Sequence, residues 1–287
     1  MAVFAEKHYP ESLPPITLDY YLEKGWYRMG QSIFTTHFLC FEETLYSAIW
    51  VRLDLHQHQY SKSQRKLLRR NAKQFRIAYS PLRITREKEV LYQKYKANFS
   101  GYIARSLTES LLDEEEGNLY QTIEAQVYDG DRLVALSFFD IGHNASASIL
   151  GIYDPDYESY SLGYYTMLLE MQYCVDHNLR YYYPGYVVPG YRRFDYKLRI
   201  GQVDYLQLSS YSWVPFDGLG SEDTPLSIMH HQLTTLGHAL DALNVPNKVY
   251  WYPLFEANLF GMLQGAYLDF PVILNLGSYN SNTNYFY

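Results

Sequence analysis

Between Tyr183 and Lys197 the chain gathers side chains that can move protons and hold charge. They are Tyr183, Tyr186, Asp195, Tyr196 and Lys197, with Arg192 and Arg193 among them. A phenol donates a hydrogen bond to a developing oxyanion, and a carboxylate accepts a proton. Arginine or lysine pairs with an acidic group on a bound molecule. A second concentration is purely cationic. From His56 through Arg86 there is no Asp or Glu, but there are Lys62, Arg65, Lys66, Arg69, Arg70, Lys73, Arg76, Arg83 and Arg86. On a chain of net charge −7, such a stretch points to a polyanion held at one place rather than to general adhesion to nucleic acid. A third is Ser161-Leu162-Gly163, which opens a helical pattern. Free N–H groups at a helix N-terminus suit an anion; the same triplet also serves as an ordinary cap with Gly163 packed close.

Other residues promise less. His56-x-His58 and His230-His231 with His238 lack a Cys or acid at a spacing that completes a metal set, so no metal is expected. Cys40 and Cys174, the two cysteines, build no disulfide framework and read as small buried side chains, with the cytosol as the default compartment. Thirty-two tyrosines predict a core threaded with hydroxyls, in which a given tyrosine is packing before it is chemistry. No run approaches the roughly 18 apolar residues of a membrane span. MAVFAEKHYPESLPP has no basic-then-apolar leader pattern.

The elements that must position these residues follow from pattern. At 287 residues and 47 % hydrophobic, the chain is globular and long enough for one large or two medium domains. A turn at Gly25–Gly30 precedes strands near Ser32–Leu39 and Ser47–Leu55. Ser61 or Ser63 caps a helix running to about Lys73, with Lys66, Arg70 and Lys73 on one face and Leu67 and Leu68 turned inward. Strand Gln74–Tyr79 ends at Pro81. Helices are expected over Thr85–Asn98 and Tyr102–Leu112. Tyr120–Tyr128 and Leu133–Ile141 form a hairpin about Asp129-Gly130, and Ser146–Tyr153 is a third strand. A helix from Ser161 to near Asn178 follows, then a strand Arg180–Val188 interrupted by Pro184-Gly185, a short helix Arg193–Lys197 and a strand Val203–Leu208. Beyond Ser210 come one helix, Leu226–Leu243, apolar segments Val249–Phe255 and Phe270–Leu276, and a frayed end. Residues 201–287 are acidic, with seven acids against Lys248 alone. The predicted order is strand, two helices, three antiparallel strands, helix, strand, short helix, strand.

That order is the one seen in N-acetyltransferases of the GNAT type, and five blocks sharpen it. They are Gly25–Gly30 with Arg28; Ser61-Lys-Ser-Gln-Arg65 with Arg69, Arg70 and Asn71; Tyr153-Asp-Pro-Asp156 leading into Ser161-Leu-Gly163; Tyr182-Tyr-Pro-Gly-Tyr186; and Tyr196-Lys197. In this register the chain, from about Gly25 to Leu206, resembles the arginyl-tRNA–protein transferases and their bacterial leucyl-transferring relatives. The resemblance implies an α/β fold with a mixed sheet: a GNAT-like core over 74–210, an N-terminal region with the basic helix over 1–73 and a C-terminal extension over 211–287. It implies an aminoacyltransferase that moves an amino acid, arginine first and leucine second, from charged tRNA to the α-amine of a protein N-terminus. That terminus is often acidic, and the tag marks the protein for degradation. Aminoacyl-tRNA is then co-substrate and no cofactor is required. Such a reaction needs positioning, an oxyanion donor and a mild base. The resemblance points to Tyr186, Tyr196 and Lys197 for catalysis, which Asp195 joins because a carboxylate can receive the amine's proton, and to Arg28, Arg65, Lys66, Arg69, Arg70, Ser161 and Gly163 for the tRNA.

Two departures set this chain apart: Phe38–Ile49 holds only Cys40 where many relatives carry a cysteine cluster, and the tail beyond Ser210 lies outside the resemblance. The block before Tyr196 also reads Arg192-Arg193-Phe194-Asp195, with an acid where relatives tend to be small. The alternatives are an acyl-CoA-dependent N-acetyltransferase, against which the missing Arg/Gln-x-x-Gly-x-Gly/Ala loop counts, a charged-tRNA enzyme with a small-molecule or peptidoglycan acceptor, and an inactive tRNA- or protein-binding relative.

Overall fold

A computed structural model describes residues 5–252 except 102 and 116, together with 254–255, 259, 267–268, 270–279 and 282–286. The N-terminal part consists of β1 (Ala5–His8), α1 (Pro15–Glu23), β2 (Tyr27–Met29), β3 (Ser32–Thr36), the β4–β5 hairpin (Phe38–Phe41, Thr44–Ser47) and β6 (Ile49–Asp54). Then come α2 (Lys62–Gln74), β7 (Arg76–Pro81), α3 (Arg86–Ala97) and α4 (Leu107–Leu112). The three long strands β8 (Thr122–Asp129), β9 (Arg132–Ile141) and β10 (Ala145–Tyr153) lead into α5 (Leu162–Asp176) and β11 (Tyr181–Val187). A 3-10 segment, Arg192–Ile200, precedes β12 (Asp204–Gln207) and β13 (Ser212–Pro215). The C-terminal part holds α6 (Pro225–Ala242), β14 (Lys248–Trp251), β15 (Val272–Tyr279) and β16 (Asn282–Phe286).

One eight-stranded sheet, in the order β13-β12-β6-β11-β10-β9-β8-β7, organises the molecule. Its neighbours are antiparallel except β10 and β11. A right-handed crossover through a helix is the usual way to join such a parallel pair, and α5 is that connection. The sheet is therefore mixed, and the GNAT-like order expected from the sequence is present. The division at residues 73 and 210 does not coincide with an edge of this sheet, because β6 lies in its interior and β13 forms its border.

Both faces are covered. On one, α5 buries Met167, Leu168 and Met171 against Val51 and Leu53 of β6 and Tyr182 of β11. Leu162, Tyr165 and Leu169 extend this layer over Ala125, Val127 and Phe139, with Leu67 and Leu68 of α2 beside them. On the other, α3 and α4 bring Leu91, Tyr92, Leu107 and Leu111 onto Leu136, Phe138 and Ile152, and α1 packs Leu18 and Leu22 near Ala145, Ala147 and Tyr183.

Several local expectations shift by a residue or more. The β8–β9 turn is Gly130-Asp131, not Asp129-Gly130: Asp129 pairs with Arg132, and Gly130 takes the left-handed φ of +57° that such a turn requires. The helix expected over Tyr102–Leu112 shrinks to Leu107–Leu112, because Ser106 accepts from the Glu109 N–H and caps the chain there; Tyr102 lies outside the described residues. Pro81 closes β7 rather than following it. That is permitted because β7 is an edge strand. The end expected to fray pairs as β15 with β16. Neither α1 nor the β4–β5 hairpin was anticipated from the sequence pattern.

Candidate active site

The parallel pairing of β10 with β11 stops early. Ala145, Ser146 and Ala147 face Tyr181, Tyr182 and Tyr183, and then the strands part. Two irregularities enforce the split. β10 carries a bulge between Ser148 and Leu150 in its ladder with β9, and β11 carries one between Tyr182 and Gly185 in its ladder with β6. Gly185 stands at φ +92°, a backbone state costly for any residue with a Cβ. A bulge re-aims the side chains that follow it. Pro184-Gly185 therefore does not interrupt β11; it turns Tyr186 toward the Trp50 ring, 5.2 Å away edge to face.

Into this fork reach residues from two segments. From β2, the Tyr27 hydroxyl donates to the Tyr183 carbonyl at 2.8 Å and to the Ser148 carbonyl, one on each diverging strand. From the 3-10 segment, the Lys197 Nζ donates to the Tyr186 carbonyl at 3.1 Å and lies 5.3 Å from the Tyr186 ring and 5.2 Å from the Phe194 ring. A Cβ placed on Gly185 would stand 3.1 Å from that Nζ and 3.6 Å from Tyr27 Cζ. The glycine thus leaves the gap in which amine and phenol ring approach each other. Among the described residues no carboxylate forms an ion pair with Lys197, and burial pushes its ammonium down to about 7. The amine is therefore substantially neutral near pH 7, the condition for a general base. Tyr196 is 42 % exposed, and its phenol is close enough to Tyr27 to influence its charge. Asp195 is exposed beside it.

Behind the fork, α5 buries Glu170. One carboxyl oxygen accepts from the Tyr182 hydroxyl at 2.6 Å, and the other has no hydrogen-bond partner among the described residues. Desolvation raises this acid to about 7.

The basic helix α2 is fastened to both sides of the site. Ser61 and Gln64 form a reciprocal capping box. The Gln64 amide also donates to the carbonyls of Ile200 (2.8 Å) and Arg199 (3.2 Å), at the end of the segment bearing Lys197. Toward the C-terminus of α2, Asn71 donates to the Tyr160 carbonyl at 2.9 Å and Arg70 to that of Ser159 at 3.2 Å. These carbonyls belong to the connector leading from β10 into α5. Lys62, Arg65, Lys66, Arg69, Arg70 and Lys73 are all exposed, and among the described residues none forms a salt bridge with an acid. Ser161 sits in the left-handed region at φ 52° and makes no side-chain cap to α5. Gly163 is packed close: a Cβ there would meet the Tyr153 ring at 3.2 Å.

Arg28 requires a correction. The resemblance implied a role in holding tRNA, but the side chain is buried, with its five N–H groups directed at Gly30 O, Thr122 Oγ1, Asp140 Oδ1, Leu111 O and Asn118 Oδ1. It pairs with Asp140 at 2.8 Å and stacks over Tyr120. No donor remains for a phosphate, so Arg28 is a structural pin between β2 and the core sheet. Tyr183 is likewise buried, on the face of β11 away from α5. Arg192 and Arg193 are both exposed; Arg193 donates to the Ser100 carbonyl and lies over the Phe99 ring at 4.2 Å. Tyr27, Trp50 and Phe194 were not singled out from sequence. The one signal for them was the position of Tyr27 inside the Gly25–Gly30 block.

Among the described residues no three His, Cys, Asp or Glu side chains gather as a metal site, and no helix is long and apolar enough to cross a membrane.

Comparison with known proteins finds the following similarities. Residues 87–207 match the family model described as arginine-tRNA-protein transferase, C terminus. An aspartate/glutamate leucyltransferase of Leptospira interrogans is 25 % identical over 194 residues, covering 66 % of this chain and 74 % of that one. One from Campylobacter jejuni is 28 % identical over 204 residues, covering 67 % and 80 %. Among solved structures, FemX aligns with a TM-score of 0.40 at 8 % identity, over 61 % of each chain. The L-PGS structure from Bacillus licheniformis aligns at 0.38 and 11 %, over 49 % of this chain and 45 % of that one.

Proposed function

We propose that the chain is a member of the arginine-tRNA–protein transferase family, on the match over residues 87–207 and the similarity to leucyltransferases, and that it transfers the aminoacyl group of a charged tRNA to the α-amine of a protein N-terminus. The observation that carries this reading is the Lys197 amine, set among aromatic rings at the fork of β10 and β11 with no carboxylate ion-pair partner among the described residues. The cationic helix fastened beside it supplies the polyanion surface.

The chemistry asks little of the protein beyond placement. An N-terminal amine has a pKa of about 7.7–8.0, so a useful share is neutral at pH 7. Its nitrogen attacks the ester carbonyl of the aminoacyl-tRNA. Neutral Lys197 takes the proton that the nitrogen sheds as the C–N bond forms. The same proton passes to the ribose oxygen as the C–O bond breaks. Tyr196 donates to the oxyanion in between, its phenol kept protonated because burial pushes it up to about 12. Exposed cations of α2 hold phosphates near the 3′ end, with the N-terminus of α5 adjoining.

The donor we assign is leucyl rather than arginyl. The Leptospira and Campylobacter relatives are leucyltransferases, and a guanidinium entering the fork would meet the Lys197 amine rather than an acid. An acceptor beginning with Asp or Glu fits exposed Arg192, and tagging for degradation is the role this implies.

The test uses the purified chain, tRNA charged with labelled leucine or arginine, and peptides beginning with Asp, Glu or Ala. Label passing from leucyl-tRNA to acidic-start peptides supports the reading. Transfer from arginyl-tRNA alone overturns the donor assignment, and transfer from neither overturns the function.

A further inference from the structure

The aromatic wedge at the fork has a consequence for which donors the site accepts. The last parallel pair is Ala147 with Tyr183. Immediately beyond it, the single hydroxyl proton of Tyr27 is shared between the Tyr183 carbonyl on β11 and the Ser148 carbonyl on β10. Those two carbonyls lie where a ladder of strand-to-strand bonds would otherwise continue or water would enter. Tyr27 comes from outside the two strands it bridges: β2 belongs to the small β1-β3-β2 sheet. The residue keeps part of its surface accessible, while its hydroxyl is buried between the two strands. Its ring lies 5.6 Å from Trp50 and faces the space above Gly185 that Lys197 also faces. The hydroxyl stays protonated at any physiological pH, because burial and the nearby acids Glu170 and Asp140 raise it well above the ordinary phenol range.

We propose that Tyr27 forms the floor of the donor aminoacyl pocket and sets, through the distance it holds between Ser148 and Tyr183, the size of side chain the enzyme transfers. This rests on the aminoacyl-transfer reading above. The transferred side chain lies over the Tyr27 ring with its ester carbonyl beside Lys197. A closed floor favours a compact aliphatic side chain and excludes a bulky aromatic one. Apolar pockets discriminate in this way by shape alone, commonly by about 10–200-fold.

The experiment compares wild type, Tyr27→Phe and Tyr27→Leu as purified full chains. Each is given leucyl-, phenylalanyl- and tryptophanyl-tRNA with one acidic-start peptide, and kcat and KM are measured for each donor. Tyr27→Phe releases the two carbonyls but keeps the ring; Tyr27→Leu also opens the floor. The expected result is that kcat/KM for tryptophanyl relative to leucyl donor rises at least about fivefold in Tyr27→Phe and further in Tyr27→Leu, with tRNA affinity unchanged. A purely structural role lowers all donors in proportion and leaves the ratio untouched. An unchanged ratio in either folded variant, with wild type active, overturns the inference alone. If Tyr27→Leu fails to fold, Tyr27→Phe decides by the same ratio. Wild type inactive with every donor overturns the transfer reading and this inference with it.

Discussion

Lys197 donates to the carbonyl of Tyr186, eleven residues before it, at 3.1 Å. That bond ties the 3-10 segment to the strand after its bulge, while burial pushes the Lys197 ammonium down to about 7. Lys197→Ala should lower kcat at least about a hundredfold, the size of a lost general base, while tRNA affinity and the melting curve hold. The wild-type rate should rise with pH through about 7 as Lys197 loses its proton. The acceptor amine then adds a second rise at about 7.7–8.0. In Lys197→Ala the lower inflection disappears, and a pH–rate profile with single-turnover kinetics checks both.

Gly185 makes that placement possible. Gly185→Ala forces a Cβ into a left-handed backbone state and within 3.1 Å of the Lys197 Nζ. The strain costs about 1–3 kcal/mol. We expect a lower melting temperature and an amine displaced from its carbonyl, seen as a shifted lower inflection in the pH profile.

Charge reversal on α2 separates binding from folding. Arg65→Glu with Arg69→Glu leaves the inward Leu67, Leu68 and Asn71 in place. tRNA affinity should fall, and the slope of log K against log salt should shrink by about one for each phosphate no longer held. Unchanged filter binding would reduce this face to a solvated surface.

Arg28→Met should act on stability and not on tRNA. It leaves Asp140 buried without its guanidinium, a loss of about 3–5 kcal/mol for a broken buried pair. Denaturant titration measures the loss. A selective tRNA defect in a fully stable variant would contradict the pinning role.

Glu170 predicts an unusual acid limb. Its folded value is about 7 against an ordinary 4.5, so between those values the folded state holds the extra proton. Stability therefore falls as pH rises from 4.5 to 7, by about 3 kcal/mol from this group. Glu170→Gln should flatten that limb in urea titrations across the window.

Much of the fold was legible because periodicity survives folding. The alternation in Ile123, Ala125 and Val127, the helical spacing of Met167, Leu168 and Met171, and the cap at Ser61 each report a local preference that packing then used. The basic face of α2 was legible for the same reason: charges three and four apart on a helix with inward leucines must point outward. Lys197 and Tyr196 could be named from their blocks, but nothing local says that a lysine is desolvated.

The candidate site was less legible, because it depends on where distant segments meet. Arg28 reads in sequence as a free cation; only the burial of Asp140 opposite it shows that its donors are spent. Tyr27 lies 121 residues from Ser148 and 156 from Tyr183, so no window of sequence contains the wedge. The amino-acid order thus settled the elements of the core sheet and the helices packed on it, though not α1 or the β4–β5 hairpin, together with the cationic helix, which are short-range matters of period and propensity. The sheet's mid-chain acceptance of β6, the fork of β10 and β11, and the depressed lysine within it are set by long-range pairing and desolvation, which exist only once the chain has closed on itself.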